Sequence, residues 1–234
     1  MAVYAISDLH LSFGTDKPMN VFGKIWDGYE DKIKNNWIYR VKSDDTVIIP
    51  GDISWGIDFK EALDDFKFIN SLPGRKIFLR GNHDYYFSTK TKVEKFLKEN
   101  NLDTLEVLHN NAYIVEDYIL CGARGWGKTE NSDASLDKKI TLREEGRLKI
   151  SLDEGAKLKK ELQEKGIKKD ILVAMHFPPF TGKFESIMKE YDVKKCIYGH
   201  LHGYGHQFIK EGEIDGIHYD MVSCDYTKFD LIKL

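Results

Sequence analysis

Metal-capable side chains recur in five short clusters along the 234 residues. They are Asp8-x-His10, Gly51-Asp52, Gly81-Asn82-His83-Asp84, His176 before Phe177-Pro178-Pro179, and Gly199-His200-x-His202. Carboxylate, amide and imidazole groups together suit divalent Mn, Fe, Zn or Co. The set is too nitrogen-rich for Ca or for a site dedicated to Mg. Two such ions about 3.5–4 Å apart need a bridging carboxylate and several further oxygen and nitrogen ligands. Asp52 is the natural bridge, since a carboxylate offers two charged oxygens. Asn82 offers a neutral carbonyl oxygen, and Asp8, His10, His176, His200 and His202 complete a mixed N/O set. Singly, Gly51-Asp52 reads as a turn and His176 as a core histidine. Their joint occurrence, each behind an apolar run, is what points to a metal site.

Those runs are the elements that must position the clusters. Val3 to Ile6, Asp45 to Pro50 and Lys76 to Leu79 read as strands. Between the first two, Ile33, Trp37 and Val41 recur every four residues, the stripe of an amphipathic helix. Between the second and third, Phe59, Leu63 and Phe66 repeat the pattern until Pro73-Gly74 ends it. The first third is therefore βαβαβ, which predicts a parallel sheet covered by helices. In open α/β sheets the carboxyl ends of strands are where ligands bind, and a glycine before a ligand permits a sharp turn.

After a helix near Lys90 to Glu99 the rhythm changes. "LEVLHNNAYIVEDYILCGARG" predicts consecutive strands with turns at Asn110-Asn111 and Glu116-Asp117, hairpins of a second sheet. Leu136 to Lys165 predicts a long charged helix with Gly146 and Gly155 as weak points. "DILVAMH" and "KKCIYGHLH" predict strands around a short helix "FESIMKEY", and the tail from Gly216 to Leu234 returns to strand-like alternation. The absence of a repeat or linker predicts a single domain over 1–234.

Hydrophobic residues at 41% and charged residues at 31% exclude a disordered chain. A net charge of -3, without a dense basic run, argues against nucleic acid as a stable partner. Cys121, Cys196 and Cys224 form no C-x-x-C pair and no disulfide framework, so a reducing, cytoplasmic location is expected. No apolar stretch is long enough to span a membrane.

The ordered series "SDLH", "GD", "GNHD", "MHFPP" and "GHLH", from residue 7 to residue 202, resembles the calcineurin-like metallophosphoesterase superfamily. The resemblance implies an α/β fold, a two-sheet β-sandwich flanked by helices (αββα), with a dinuclear centre at the sheet ends. It implies that Asp8, His10, Asp52 and His202 hold one ion, and that Asp52, Asn82, His176 and His200 hold the other. It makes His83 the catalytic imidazole, with Asp84 orienting it. Members with this centre hydrolyse phosphoesters by attack of a metal-bridging hydroxide. Many also carry an aspartate three residues after the bridging one; here that position is Trp55, expected to shape the pocket wall.

Arg80, before "GNHD", resembles a phosphate-contacting arginine of the protein phosphatase branch, and Arg124 is a second candidate for substrate binding. "MHFPP" lacks the glycine-rich continuation of that branch, so a protein phosphatase is not expected. The expected partner is a small phosphorylated substrate, monoester or diester, with two divalent transition-metal ions as cofactors, manganese among them. The alternative is a metal-binding interaction scaffold of the same fold; an intact ligand set and His83 favour the enzyme. His109, His206 and His218 fall outside the motifs and are expected to be structural or exposed.

Overall fold

A computed structural model describes residues 1–127 and 133–234. The first sheet contains β1 (Val3–Ala5), β2 (Thr46–Ile49), β3 (Arg75–Phe78), β4 (Leu105–Val107) and β11 (Ile232–Lys233). Its strand order is β11-β1-β2-β3-β4, with β1 to β4 parallel and β11 antiparallel to β1. The second contains β5 (Tyr113–Val115), β6 (Tyr118–Ala123), β7 (Asp170–Met175), β8 (Val193–Tyr198), β9 (Gly212–Ile214) and β10 (Ile217–Met221). Its order is β5-β6-β7-β8-β10-β9, again mixed.

Alternation along the strands divides the core into three layers. Ile48, Ile77, Leu120, Leu172, Ala174 and Ile197 point into the space between the sheets. Val47, Ile49 and Phe78 point outward onto α1 (Tyr29–Arg40), α2 (Phe59–Ser71) and α3 (Lys90–Glu99), meeting Trp37, Phe66 and Val93. Val173, Met175 and Cys196 point outward from the second sheet onto α4 (Ala134–Glu164) and α5 (Lys183–Glu190), meeting Leu148, Leu152 and Phe184. This is the expected helix–sheet–sheet–helix arrangement, and each buried strand is apolar on both faces because both are covered.

Local chemistry starts and stops the elements. Asp58 caps α2 by accepting hydrogen bonds from the Lys60 and Glu61 amides, both 2.9 Å. Gly155 on α4 is a close-packing position, since a Cβ there would collide with Cys121 Sγ on β6, whereas Gly146 faces open space. Two expectations change. Leu105–Val107 is not part of a hairpin but a parallel neighbour of β3 in the first sheet. The Asn110-Asn111 turn therefore carries the chain between sheets, and of these two turns Glu116-Asp117 is the one that makes a hairpin, pairing Val115 with Tyr118. The tail serves both sheets, β10 in one and β11 in the other. Two 3-10 turns before α1, Met19–Phe22 and Lys24–Trp26, had no periodic signal. No helix among the described residues is long and apolar enough to cross a membrane.

Candidate metal centre

The carboxyl ends of β1, β2, β3, β7 and β8 meet along one edge of the sandwich, so candidate ligands arrive from both sheets. The chain leaves the strands in unusual conformations. Asp8, His10, Asp52 and His200 all have positive φ, at 59°, 44°, 50° and 75°. Each such non-glycine residue costs about 1–3 kcal/mol and persists only where its surroundings enforce it. Here the loops after β1 and β2 run side by side: Asp8 N donates to Gly51 O at 3.0 Å, His10 N to Asp52 O at 3.0 Å and Leu11 N to Ile53 O at 2.9 Å. Close approach demands the glycines. A Cβ on Gly81 would enter the Asp52 carboxylate, and one on Gly199 would strike Asp8 and Ser7 across the sheets.

Two groups of donors result, Asp8 with His10 and His202, and Asp8 with Asp52 and His176, each with its ligand atoms within 4.8 Å of one another. Asp52 Oδ2 lies 3.8 Å from His10 Nε2 and 3.5 Å from His176 Nε2, between the two groups. Asn82 Oδ1 is 2.6 Å from His176 Nε2. His200 stands outside both groups. Its backbone N–H donates to Asp8 Oδ2 at 3.0 Å, and its ring sits edge-on to His176 with centroids 5.1 Å apart.

The electrostatics fit a cation. His176 Nδ1 is 3.0 Å from the Pro50 carbonyl, which can only accept, so Nδ1 carries the ring proton. Burial holds this imidazole down at about 4, so it is neutral at neutral pH. Its bare Nε2 then faces the Asn82 carbonyl oxygen, two lone pairs aimed at one place. His202 Nδ1 likewise donates to Asp225 Oδ1 at 2.8 Å. Burial opposes charge on His202, but its contacts with the Asp225 and Asp8 carboxylates override it and raise the ring to about 10, so positive charge is favoured where its Nε2 lies. Asp8 Oδ1 is buried without a hydrogen-bond partner among the described residues and faces that Nε2 at 3.3 Å. Asp52 is pushed well above the usual carboxylate range by burial and by the Asp8 and Asp84 charges, a conflict that a cation between the carboxylates relieves.

Asp84 has a different task from the one expected. Its carboxylate accepts from the amides of Asp52 (2.9 Å), Ile53 (2.9 Å) and Gly81 (2.7 Å) and from the Tyr86 hydroxyl (2.8 Å). These bonds occupy it with the backbone of the β2 and β3 loops, while His83 Nδ1 has no hydrogen-bond partner among the described residues. Asp84 thus positions Asp52 and Asn82 and does not hold the His83 ring. His83 itself packs against Trp55, with centroids 4.5 Å apart, and its backbone N–H donates to Asp52 Oδ1 at 2.8 Å. Burial pushes its imidazole below the ordinary histidine value.

Arg80 and Arg124 line one narrow crevice of about 10 Å³ with His109 and Glu144. Arg124, expected to bind substrate, stacks on Trp126 at 4.9 Å and forms an ion pair with the fully buried Glu144 at 3.7 Å. Arg80 stacks over Phe87 at 6.0 Å, and its Nε has no hydrogen-bond partner among the described residues. His218 pairs with Asp220 and Glu213 near the surface.

Asp225 was not foreseen. It aligns His202, accepts from Gly203 N at 3.2 Å and reaches His206 Nε2 at 3.2 Å. Ser7 and Ser223 were missed too; their hydroxyls donate to Asp8 Oδ2 at 2.5 and 2.9 Å. The signal was present, because Ser223 and Asp225 follow strand β10 as the ligands follow their own strands.

The family model described as calcineurin-like phosphoesterase matches residues 1–204. No curated protein matches the chain. Among solved structures, a protein of unknown function from Aquifex aeolicus aligns over 99% of this chain and 95% of its own, at 17% identity and a TM-score of 0.52, a likeness of fold.

Proposed function

The chain belongs to the calcineurin-like phosphoesterase family, and from that premise we propose that it is a dinuclear, metal-dependent phosphohydrolase acting on a phosphomonoester or phosphodiester. The observation that carries this reading is the placement of Asp52 Oδ2 between His10 and His176, with Asp8 common to both donor groups. Asp8, His10, Asp52 and His202 would hold one ion, and Asp52, Asn82, His176 and His200 the other. When bound, divalent ions supply Lewis-acid stabilisation of phosphoryl charge and lower the pKa of water.

The chain's own residues do the rest. Pro50 O and Asp225 hold a proton on Nδ1 of His176 and His202, so Nε2 is the nitrogen that each would offer to an ion. Asp84 holds the Asp52 and Gly81 backbone, so the ligands are ordered before any ion arrives. Trp55, stacked on His10 at 4.8 Å, excludes water from one flank. His83 lines the same cavity as His10 and His202, and in this reading its ring would give a proton or hydrogen bond to the departing oxygen.

Metal analysis paired with turnover of mono- and bis-p-nitrophenyl phosphate tests the proposal. Loaded protein is expected to hold about two ions per chain, with activity lost on chelation and restored by a transition metal. Asp52→Asn is expected to weaken both ions, and His202→Ala mainly one. A single ion unaffected by Asp52→Asn would overturn the assignment.

A further inference from the structure

A cavity of about 320 Å³ opens directly beside His83. Its lining combines polar groups, His10, His83, His202 and Asp225, with apolar ones, Met19, Phe22, Ile25, Trp26 and Trp55, and Trp55 packs on both His10 and His83, at 4.8 and 4.5 Å. Apart from Trp55, the apolar residues stand on the two 3-10 turns, which belong to neither sheet. They are anchored by Met19, whose sulfur accepts from Trp55 Nε1 at 3.0 Å, and by Trp26, which packs on Tyr29 and Phe229 at 5.2 and 5.3 Å. Between these anchors Phe22 and Ile25 stay 67% and 46% exposed at the cavity mouth. Leaving such side chains in water forgoes burial worth about 25 cal/mol per Å², so a wall that presents them on a fixed frame suits an apolar occupant.

His83 decides which part of a substrate lies here. A group that delivers a proton to the departing oxygen must face the leaving group, and His83 faces this cavity and not the larger hollow beside His200. Two indoles and a thioether favour a flat ring over a flexible chain. The volume, at the small end for ligand pockets, fits one ring system. We propose that this cavity is the leaving-group subsite and takes a planar aromatic ring carried by the departing oxygen. The proposal rests on the phosphohydrolase reading above.

The test uses the metal-loaded full chain and two alcohol leaving groups, benzyl and 2-methoxyethyl, each as the phosphate monoester and the methyl phosphodiester. The benzyl esters are expected to exceed the 2-methoxyethyl esters in kcat/KM by on the order of tenfold or more. Phe22→Ser with Ile25→Ser should collapse that ratio toward one, and Val21→Ser, on the same turn but outside the cavity, should keep it. Phe22, Ile25 and Val21 are exposed, so these changes spare the fold. Adenosine 5′-phosphate against ribose 5-phosphate asks whether the ring is a nucleobase: a similar preference assigns a nucleotide, and its absence beside a benzyl preference assigns a smaller aryl group. Equal rates for benzyl and 2-methoxyethyl esters, or a ratio that survives the double substitution, would overturn the subsite. If no ester turns over, the hydrolase reading fails by itself. Binding of benzylphosphonate against 2-methoxyethylphosphonate, followed by tryptophan fluorescence, then decides whether the cavity takes an aromatic ring: a benzyl preference lost in the double variant supports that part of the proposal, and no preference sinks it.

Discussion

Asp84 accepts from the backbone amides of Asp52, Ile53, Ser54 and Gly81 and from a phenol hydroxyl, which makes it a clamp on the loops that carry Asp52 and Asn82. Replacing one of its oxygens by an amide –NH2 turns an acceptor against those donors. Asp84→Asn should therefore cost about 2–3 kcal/mol of stability and weaken metal binding, read by thermal denaturation and metal titration. An unchanged melting temperature with altered leaving-group sensitivity alone would return Asp84 to an orienting role. His83 carries the complementary prediction. A p-nitrophenolate leaving group needs no proton, whereas an alkoxide does. General acid catalysis contributes roughly 10²–10⁴-fold, so His83→Asn should slow alkyl esters by that order and p-nitrophenyl esters far less, with the metal content unchanged. Equal slowing across a leaving-group series would mean that His83 stabilises phosphoryl charge without giving up a proton.

At the scale of elements, the helices of the first half were legible because their stripes are regular: Ile33 and Trp37 of α1, and Phe66 of α2, are fully buried as their spacing required. The short strand β4 was misplaced because three residues of strand carry no mark of which sheet they join; docking beside β3 is decided by the register Lys76–Leu105 and its neighbours. Lys76, at the start of β3, is buried, and its ammonium donates to Leu72 O and to Thr104 Oγ1. Burial lowers its pKa from 10.5 to about 8. The folded state thus releases this proton earlier than the unfolded state, which still holds it between pH 8 and 10.5. Stability should then rise with pH across that window, by at most about 1.4 kcal/mol per unit. Below the window the penalty is fully present, and above it the penalty vanishes. Urea unfolding of Lys76→Met should show this slope removed relative to wild type; parallel pH profiles would contradict it.

Across the whole molecule, the candidate centre exists only where two sheets touch. Ser7 N donates to Val222 O at 2.7 Å and Cys224 N to Ser7 O at 2.9 Å, joining the end of β1 to the chain beyond β10. Gly199 closes the same seam from β8, with no room for a Cβ against Asp8 and Ser7. Gly199→Ala should leave both sheets folded but part them at the seam, lowering metal affinity by on the order of tenfold or more, as disturbed ligand support does. Circular dichroism and a metal titration check this; native affinity would show that the seam tolerates a methyl group.

Ligand types, their order and their attachment to strand ends were determined by the sequence, because each is a local fact: a side chain, a preceding glycine and an apolar run. Periodicity likewise predicted a helix-covered parallel sheet and a second sheet, while the αββα layering was what the family resemblance implied. Tertiary structure alone decided what those groups meet. That Asp84 faces amides and not His83, that Asp225 aligns His202, and that Arg124 answers Glu144 all depend on contacts between residues remote in sequence. The 3-10 turns have too short a period to announce a face, so the wall they form beside His83 became visible only when the chain brought Met19 to Trp55. Local pattern fixes which groups a chain offers; the direction each side chain takes is set by the packing of its neighbours.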